Sequence, residues 1–179
     1  MTEVQDQQQL GRAMNAVQEF LVHKLLFPKV YLDADWNGNK VDVLAIDRAG
    51  VGDVHAVKLV PWVEGQADDI PGWYMSMERS VQEPMRKLST FPSHFRYLAI
   101  VCTEPNRNPW IPGPATRSSS LAPDGVGRIG IFYVDVTEEN AEVRILLKAE
   151  RFRSSKELVE LSDRFVAENT ANWEYREEL

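Results

Sequence analysis

An aspartate and a lysine, each set among apolar residues, are the side chains of this sequence with the clearest capacity for chemistry. Asp42 lies in the segment NKVDVLAI, and Lys58 lies in the segment DVHAVKLV. A carboxylate is the kind of oxygen ligand that a hard divalent cation such as Mg²⁺ prefers. A lysine with apolar neighbours either extends its ammonium from a sheet edge or meets an opposite charge. The two residues could therefore belong to a polar site, or form an ion pair with a structural role.

Other kinds of chemistry lack the residue patterns that they need. The sequence contains no G-x-x-x-x-G-K-[ST] phosphate loop, no G-x-G-x-x-G pattern after a strand and no G-x-S-x-G nucleophile turn. His23 and His94 lie far apart, without the spacing of zinc ligands, and no second cysteine accompanies Cys102. His55 and Lys58 are three positions apart in one predicted strand, so their side chains point to opposite faces. His55 is therefore expected to be an ordinary half-buried residue. Nucleotide cofactors, serine hydrolysis and zinc are therefore not expected.

The segments that carry these two residues are predicted to form an antiparallel sheet preceded by a helix. Apolar residues recur every three or four positions over 10–27, which is typical of an amphipathic helix, and Pro28 ends it. The dipeptide Asn37-Gly38 separates two β-rich runs, and it favours a tight hairpin turn with positive φ at both positions. The predicted strands are 30–36, 40–48 and 53–62.

The second half of the chain is predicted to complete a mixed sheet. A helix with a kink at Pro84 precedes a short interior strand, and a loop rich in proline, glycine and serine leads to a strand pair. Ser154 and Glu157 form a capping box that opens a last helix. The predicted elements are a helix over 73–88, strands over 95–103, 128–136 and 141–152, and a helix over 154–169. We therefore expect an α/β fold with a mixed central β-sheet and helices on both faces.

The order of these elements, together with Asp42 and Lys58, resembles the PD-(D/E)XK nuclease-like superfamily, also called the restriction-endonuclease-like fold. The resemblance covers roughly residues 10–103, and the two residues match the family's aspartate and lysine in position and in flanking apolar residues. It implies an α-β-β-β-α-β core and descent from metal-dependent phosphodiester hydrolases. It also implies that Asp42 ligates Mg²⁺ or Mn²⁺, and that Lys58 orients or deprotonates the attacking water and stabilises the transition state.

The sequence departs from the family's motif at one position. Ala56 stands where the family has a second acid, two residues before the lysine. Asp42 alone makes a poor site, because a hard cation takes several oxygen ligands. The remaining candidate ligand is Glu19 on the first helix, since some members of the superfamily carry an acid there. We therefore expect a nuclease-like domain with a degenerate motif; the alternative is a non-catalytic protein-interaction module on the same fold, in which the pair is structural.

Composition and charge set the remaining expectations. The 179 residues, 44% hydrophobic and 26% charged, predict one globular domain over 1–179, with a flexible start over 1–9, a mobile loop over 104–127 and an acidic tail over 170–179. A single cysteine, no leader pattern and no long apolar run favour the cytoplasm and no membrane. The net charge of −7 does not favour nucleic acid as a partner, while a protein partner or a homo-oligomer stays open.

Overall fold

The structure, a computed structural model, describes residues 3–46, 53–62, 81–103, 129–137, 139–152, 158, 160 and 161. In this part of the chain, a long helix is followed by six strands, and a second helix lies between the third and fourth strands. Helix α1 spans Glu3–Glu19 and continues as a π-helical turn over Phe20–Lys24. Residues 81–90 are helical and are called α2. The strands are β1 Lys29–Trp36, β2 Asn39–Ile46, β3 Val54–Pro61, β4 Phe95–Cys102, β5 Gly130–Val136 and β6 Ala141–Leu147.

The strands form one mixed sheet in the order β1-β2-β3-β4-β5-β6. The first three strands pair antiparallel, as the sequence predicts. β4 pairs parallel with both β3 and β5, and β6 pairs antiparallel with β5. The short apolar run that becomes β4 is therefore an interior strand, which confirms the prediction.

Apolar side chains are buried on both faces of the sheet, and helical residues cover each face. The α1 side chains buried on one face are Ala13, Val17 and Leu21. The helical side chains buried on the other face are Met85, Leu88, Leu158 and Leu161. We call these surfaces the α1 face and the α2 face. The predicted α/β fold, a mixed sheet with helices on both faces, is confirmed.

The turn between β1 and β2 has the predicted conformation. Asn37 has a φ of 52° and Gly38 a φ of 82°, so both central residues have the positive φ that a type I′ turn requires. The side chain of Asp35 accepts a hydrogen bond from the Gly38 N–H at 2.8 Å. The turn sets the register of the hairpin, in which Trp36 pairs with Asn39.

Helix α1 begins earlier than the periodic apolar pattern predicts. It starts at Glu3, inside the segment 1–9 that was expected to be flexible. This segment contains neither glycine nor proline and is rich in glutamine, which is a good helix former. A polar helix end makes no apolar stripe, so periodicity alone does not reveal it. None of the described helices is both long and apolar enough to span a membrane.

The last part of the described chain also differs from the prediction. β6 ends at Leu147 instead of continuing to Phe152. The Phe152 N–H donates to the His94 carbonyl oxygen at 2.7 Å, and the Arg96 guanidinium lies 4.0 Å from the centre of the Phe152 ring. These tertiary contacts draw the chain away from β5. Residues 158, 160 and 161 are helical; the Ser154–Glu157 capping box, the rest of the last predicted helix, the loop 104–127 and the tail 170–179 lie outside the described residues.

The alternation of side chains between the two faces of the sheet is interrupted in β1 at Asp33 and in β2 at Asp42. Asp33 has a φ of 52°. Leu32 packs on the α1 face, but Ala34, two residues later, packs on the α2 face, although residues two apart in a regular strand share a face. The residues that pair with them on β2 reverse in the same way. Asp42 therefore lies at the point where β2 changes face.

A partly buried tyrosine on the α1 face predicts a loss of stability at alkaline pH. Burial raises the pKa of Tyr97 to about 12, and its ring stacks on Phe132 with a centroid distance of 4.4 Å. Because the unfolded tyrosine has a pKa of about 10, this stability is fully present below about pH 10 and is lost as the pH rises through about 12.

Tyr97→Phe is therefore expected to flatten the fall of Tm between about pH 9 and about pH 12. Some slope is expected to remain, because burial also raises the pKa of Tyr31 to about 12. Thermal unfolding followed by circular dichroism checks this result. A variant that loses as much Tm as the wild type over this range would show that Tyr97 is not a source of the effect.

Candidate functional site

The structure brings Asp42 and Lys58 together on neighbouring strands. The Lys58 Nζ donates a hydrogen bond to Asp42 Oδ1, and the Leu59 N–H donates to Asp42 Oδ2 at 2.5 Å. The side chains of Lys58 and Asp42 are 17% and 21% exposed. The pair is thus mostly withdrawn from water but still reaches the surface.

The pair occupies a fork between two strands. β2 and β3 pair from Ile46↔Val54 to Val43↔Val57, and there the described ladder between them ends. Beyond that point β2 stays paired with β1 as far as Asn39, and β3 stays paired with β4 as far as Pro61. We call the place where residues 39–42 of β2 separate from residues 58–61 of β3 the fork.

The carboxylate of Asp42 replaces a backbone acceptor at the fork. Backbone N–H groups two residues apart point to the same side of a strand. The Leu59 N–H therefore points toward β2, where Asp42 accepts it. Pro61 follows on the same side and has no N–H to satisfy. One role of Asp42 is consequently structural, since it ends the β2–β3 ladder without leaving the Leu59 donor unsatisfied.

Lys58 lies on the α2 face of the sheet. It shares this face with Ala56 and Val60, which are two residues away on either side and are buried in the α2-face cluster. Ala56 is fully buried. The position where the family has its second acid is therefore occupied by a small apolar side chain of the core.

Glu19 is not brought to the pair by the described contacts. It is exposed at the end of α1, and the buried residues of α1 pack on the face opposite to Lys58. No hydrogen bond or ion pair within the described ranges joins it to Asp42 or Lys58. A ligand role for Glu19 stays a prediction from the resemblance.

Among the described contacts at the fork, Asp42 is the one carboxylate, and both of its oxygens accept hydrogen bonds from the protein. Asp42 contributes one partly exposed carboxylate, and Mg²⁺ is commonly held by one or two carboxylates while it keeps several waters. Within the described ranges, no three residues among His, Cys, Asp and Glu come together as a metal-binding group. A cation at this position would take one protein ligand, Asp42, and would depend on water and a phosphate for the others.

Glu83 is a further acid with a shifted pKa that the sequence analysis does not single out. It lies on α2, and its Oε1 is 2.9 Å from the Nζ of Lys87. The hydrogen bond and charge of Lys87 lower the pKa of Glu83, and the charges of Arg86 and Lys58 lower it further. The spacing of Glu83 and Lys87 predicts an ion pair on a helix. Nothing in the sequence indicates that this pair lies within electrostatic reach of Lys58.

The histidines of the sheet have structural surroundings. His55 is buried between two aromatic rings, with centroid distances of 4.5 Å to Phe27 and 4.6 Å to Phe95. His94 Nδ1 accepts a hydrogen bond from the Val54 N–H at 3.0 Å. That nitrogen cannot also donate to the carboxylate of Asp53, which lies 3.5 Å away. These contacts place both imidazoles at the start of β3, away from the fork.

Comparison with known proteins supports the fold of the chain but indicates no activity. No family model matches the chain, and no curated protein matches it significantly. A solved structure of a protein of unknown function from Silicibacter pomeroyi is similar, with a TM-score of 0.50 and 12% sequence identity. The match covers 90% of this chain and 86% of that one. At this identity the similarity concerns the α/β fold alone.

Proposed function

We propose that this chain is a PD-(D/E)XK nuclease-like domain with a restriction-endonuclease-like α-β-β-β-α-β core. In this view it descends from metal-dependent phosphodiester hydrolases and carries a degenerate motif. The observation that carries the proposal is the contact between Asp42 and Lys58 at the fork. The order α1, β1–β3, α2 and β4, with β4 parallel to β3, supports it.

The two residues have distinct roles in the proposed reaction. Asp42 is the residue that would hold Mg²⁺ or Mn²⁺, and the bound cation supplies charge neutralisation and a lower pKa for its water. Lys58 is 17% exposed, so its ammonium acts where bulk water screens it only weakly. It positions the attacking water and stabilises the negative charge that develops on the phosphate. With alanine at position 56, we expect weak cleavage.

A non-catalytic interaction module on the same fold is the second candidate. The observation that favours it is that both carboxylate oxygens of Asp42 are already engaged, one by Lys58 and one by the Leu59 N–H. The net charge of −7 also opposes binding of a polyanion. In this case the pair only closes the end of the β2–β3 ladder, and the partner is another protein.

Cleavage assays with matched variants distinguish the two functions. The full chain is incubated with Mn²⁺ and labelled single- and double-stranded DNA and RNA, alongside Asp42→Asn, Lys58→Met and the control Asp35→Asn, an exposed acid of the hairpin. We expect cleavage by the wild type and by the control, and a loss of about 100-fold or more in the other two variants.

Folding of each variant is verified by its unfolding transition before rates are compared. Asp42→Asn keeps an oxygen that can accept the Leu59 N–H, so its loss of activity would not be a consequence of lost structure. If the wild type neither cleaves any of the substrates nor binds Mn²⁺, the nuclease proposal is wrong and the interaction module stands.

A further inference from the structure

We propose that β6 is the surface through which this chain pairs with a second copy of itself. The strands form one sheet with β6 at its edge, and within the described ranges no strand pairs with the outer side of β6. An edge strand presents backbone N–H and C=O groups that a further strand can satisfy, so two copies can join their sheets there. This inference goes beyond the proposed function and does not depend on it.

Apolar side chains remain exposed on β6. Ile145 is 39% exposed, and Leu146 is 37% exposed. Ala141 and Val143 are only partly buried against the cluster of the α1 face. Ile145 pairs with Phe132, which belongs to this cluster, so its side chain lies on the same face. A strand added to β6 would cover these side chains and extend the α1-face core across the interface.

The opposite edge of the sheet is less suited to pairing. In β1, the positive φ of Asp33 interrupts the regular backbone that an added strand would follow. Asp33 and Asp35 are both exposed, so this edge also carries two charges of one sign. Irregular backbone and charge are means by which proteins protect edge strands. β6, in contrast, pairs with β5 in unbroken register over residues 141–145.

The charges of β6 complement those of a second copy. Glu142 and Arg144 are two residues apart and lie on one face of the strand, where Arg144 Nη2 is 3.2 Å from Glu142 Oε2. Their side chains are 63% and 52% exposed, respectively. When two copies of β6 pair antiparallel about a two-fold axis at Val143, each Glu142 lies opposite Arg144 of the other copy.

Charge also selects this register over the neighbouring ones. Residues directly opposite each other share a face of the sheet, so the next registers place the axis one residue to either side. An axis at Glu142 would set two glutamates opposite each other, and an axis at Arg144 would do the same with two arginines. Like charges in such pairs are destabilising, whereas opposite charges are stabilising. The axis at Val143 is therefore favoured, and it places Ile145 opposite Ala141 of the other copy.

Sedimentation equilibrium of the full chain tests the partner. We expect the wild type to dimerise, and Glu142→Arg and Arg144→Glu each to weaken the dimer by about tenfold or more. A mixture of these two variants is expected to form a heterodimer, because each supplies the charge that the other lacks. The variant with both substitutions is expected to recover the dimer. Lys40→Glu, a reversal of an exposed charge in the β1–β2 hairpin, is the control and should dimerise like the wild type.

Disulfide cross-linking tests the register. Val143→Cys would set two thiols directly opposite each other, with Cα atoms about 4.5–5.5 Å apart, a separation that a disulfide spans. Ile145→Cys is the control, since its Cα atoms would be about 13 Å apart. With oxidised glutathione as the electron acceptor, we expect a covalent dimer from Val143→Cys and none from Ile145→Cys. Cys102 is buried and gives little background.

The outcomes are decisive once circular dichroism has verified the fold of each variant. A wild type that stays monomeric at about 100 µM overturns the proposal. So does a dimer that both single reversals leave unchanged, because such a dimer uses another surface. A dimer that cross-links at position 145 and not at position 143 shows that the register is wrong. Loss of the dimer in each single reversal, with recovery in the mixture and in the doubly substituted variant, supports the proposal.

Discussion

Replacing Gly130 by alanine is expected to lower the free energy of unfolding by about 3 kcal/mol. A Cβ at this position would lie 2.5 Å from the Tyr97 ring and 2.6 Å from the backbone nitrogen of Ala149. The ring cannot easily move, because it stacks on Phe132. The backbone of Ala149 follows directly on β6 and its displacement would disturb the edge of the sheet. Only glycine allows β5 to approach both groups this closely.

Urea unfolding followed by tryptophan fluorescence measures this effect, and Gly11→Ala is the matched control. A Cβ at Gly11 meets no atom within 4 Å, and the residue lies within α1. Alanine there is expected to raise the free energy of unfolding by about 0.5–1 kcal/mol through its helix propensity. A Gly130→Ala variant as stable as the wild type would mean that β5 and the 148–152 segment repack at little cost.

Replacing Asp42 by alanine is expected to cost about 2–3 kcal/mol of stability, more than Lys58→Met costs. The substitution leaves two groups without their acceptor, the mostly buried Lys58 ammonium and the Leu59 N–H. Lys58→Met removes the charge but keeps an apolar stem of similar length, so we expect a cost of about 1 kcal/mol. In the double variant the unpaired ammonium is absent, and the costs are expected to combine less than additively, by about 1–2 kcal/mol.

Asp42→Asn separates the two contacts of the carboxylate. Its amide oxygen can still accept the Leu59 N–H, so this variant is expected to lose less stability than Asp42→Ala. The four free energies of the cycle come from urea unfolding at neutral pH. Additive costs in the double variant would show that the ion pair has no energetic coupling, and that Asp42 stabilises the fork through the backbone contact alone.

Stability and activity measurements on the same variants complement each other. A pair that is only structural gives strong coupling in the unfolding cycle and no cleavage by the wild type. A pair that also serves a reaction gives the same coupling, cleavage by the wild type and a large loss of rate in Lys58→Met. The side chains of Asp42 and Lys58 are only partly exposed, so both kinds of effect are large enough to measure.

The hairpin and the interior strand could be predicted from short stretches of sequence. Asn37 and Gly38 adopt the positive φ values that their residue types favour. The run that becomes β4 is too short and too β-rich for a buried helix, and it lies inside the sheet. The end of β6 could not be predicted in the same way, because Phe152 leaves the strand pattern through contacts with His94 and Arg96, more than 50 residues away.

At the candidate site, too, some features could be predicted from the sequence and others depend on tertiary contacts. The alternation of apolar residues around Asp42 and Lys58 predicts two strands, and the resemblance selects these two residues. The contact itself depends on the antiparallel register of β2 and β3 and on the reversal of β2 at Asp42. The reversal accompanies the positive φ of Asp33 on the neighbouring strand. Aspartate tolerates a positive φ, but its presence in a sequence does not predict one.

Local patterns by themselves determined the order of helices and strands, the hairpin turn and the absence of an acid at position 56. Each of these follows from residue types and from contacts between neighbours in the chain, which a sequence displays directly. The tertiary structure alone decided that β2 and β3 separate at Asp42, that Asp42 meets Lys58 there and that Gly130 must lack a side chain. These features depend on packing between segments far apart in sequence, where distances follow from the whole fold and not from any one segment.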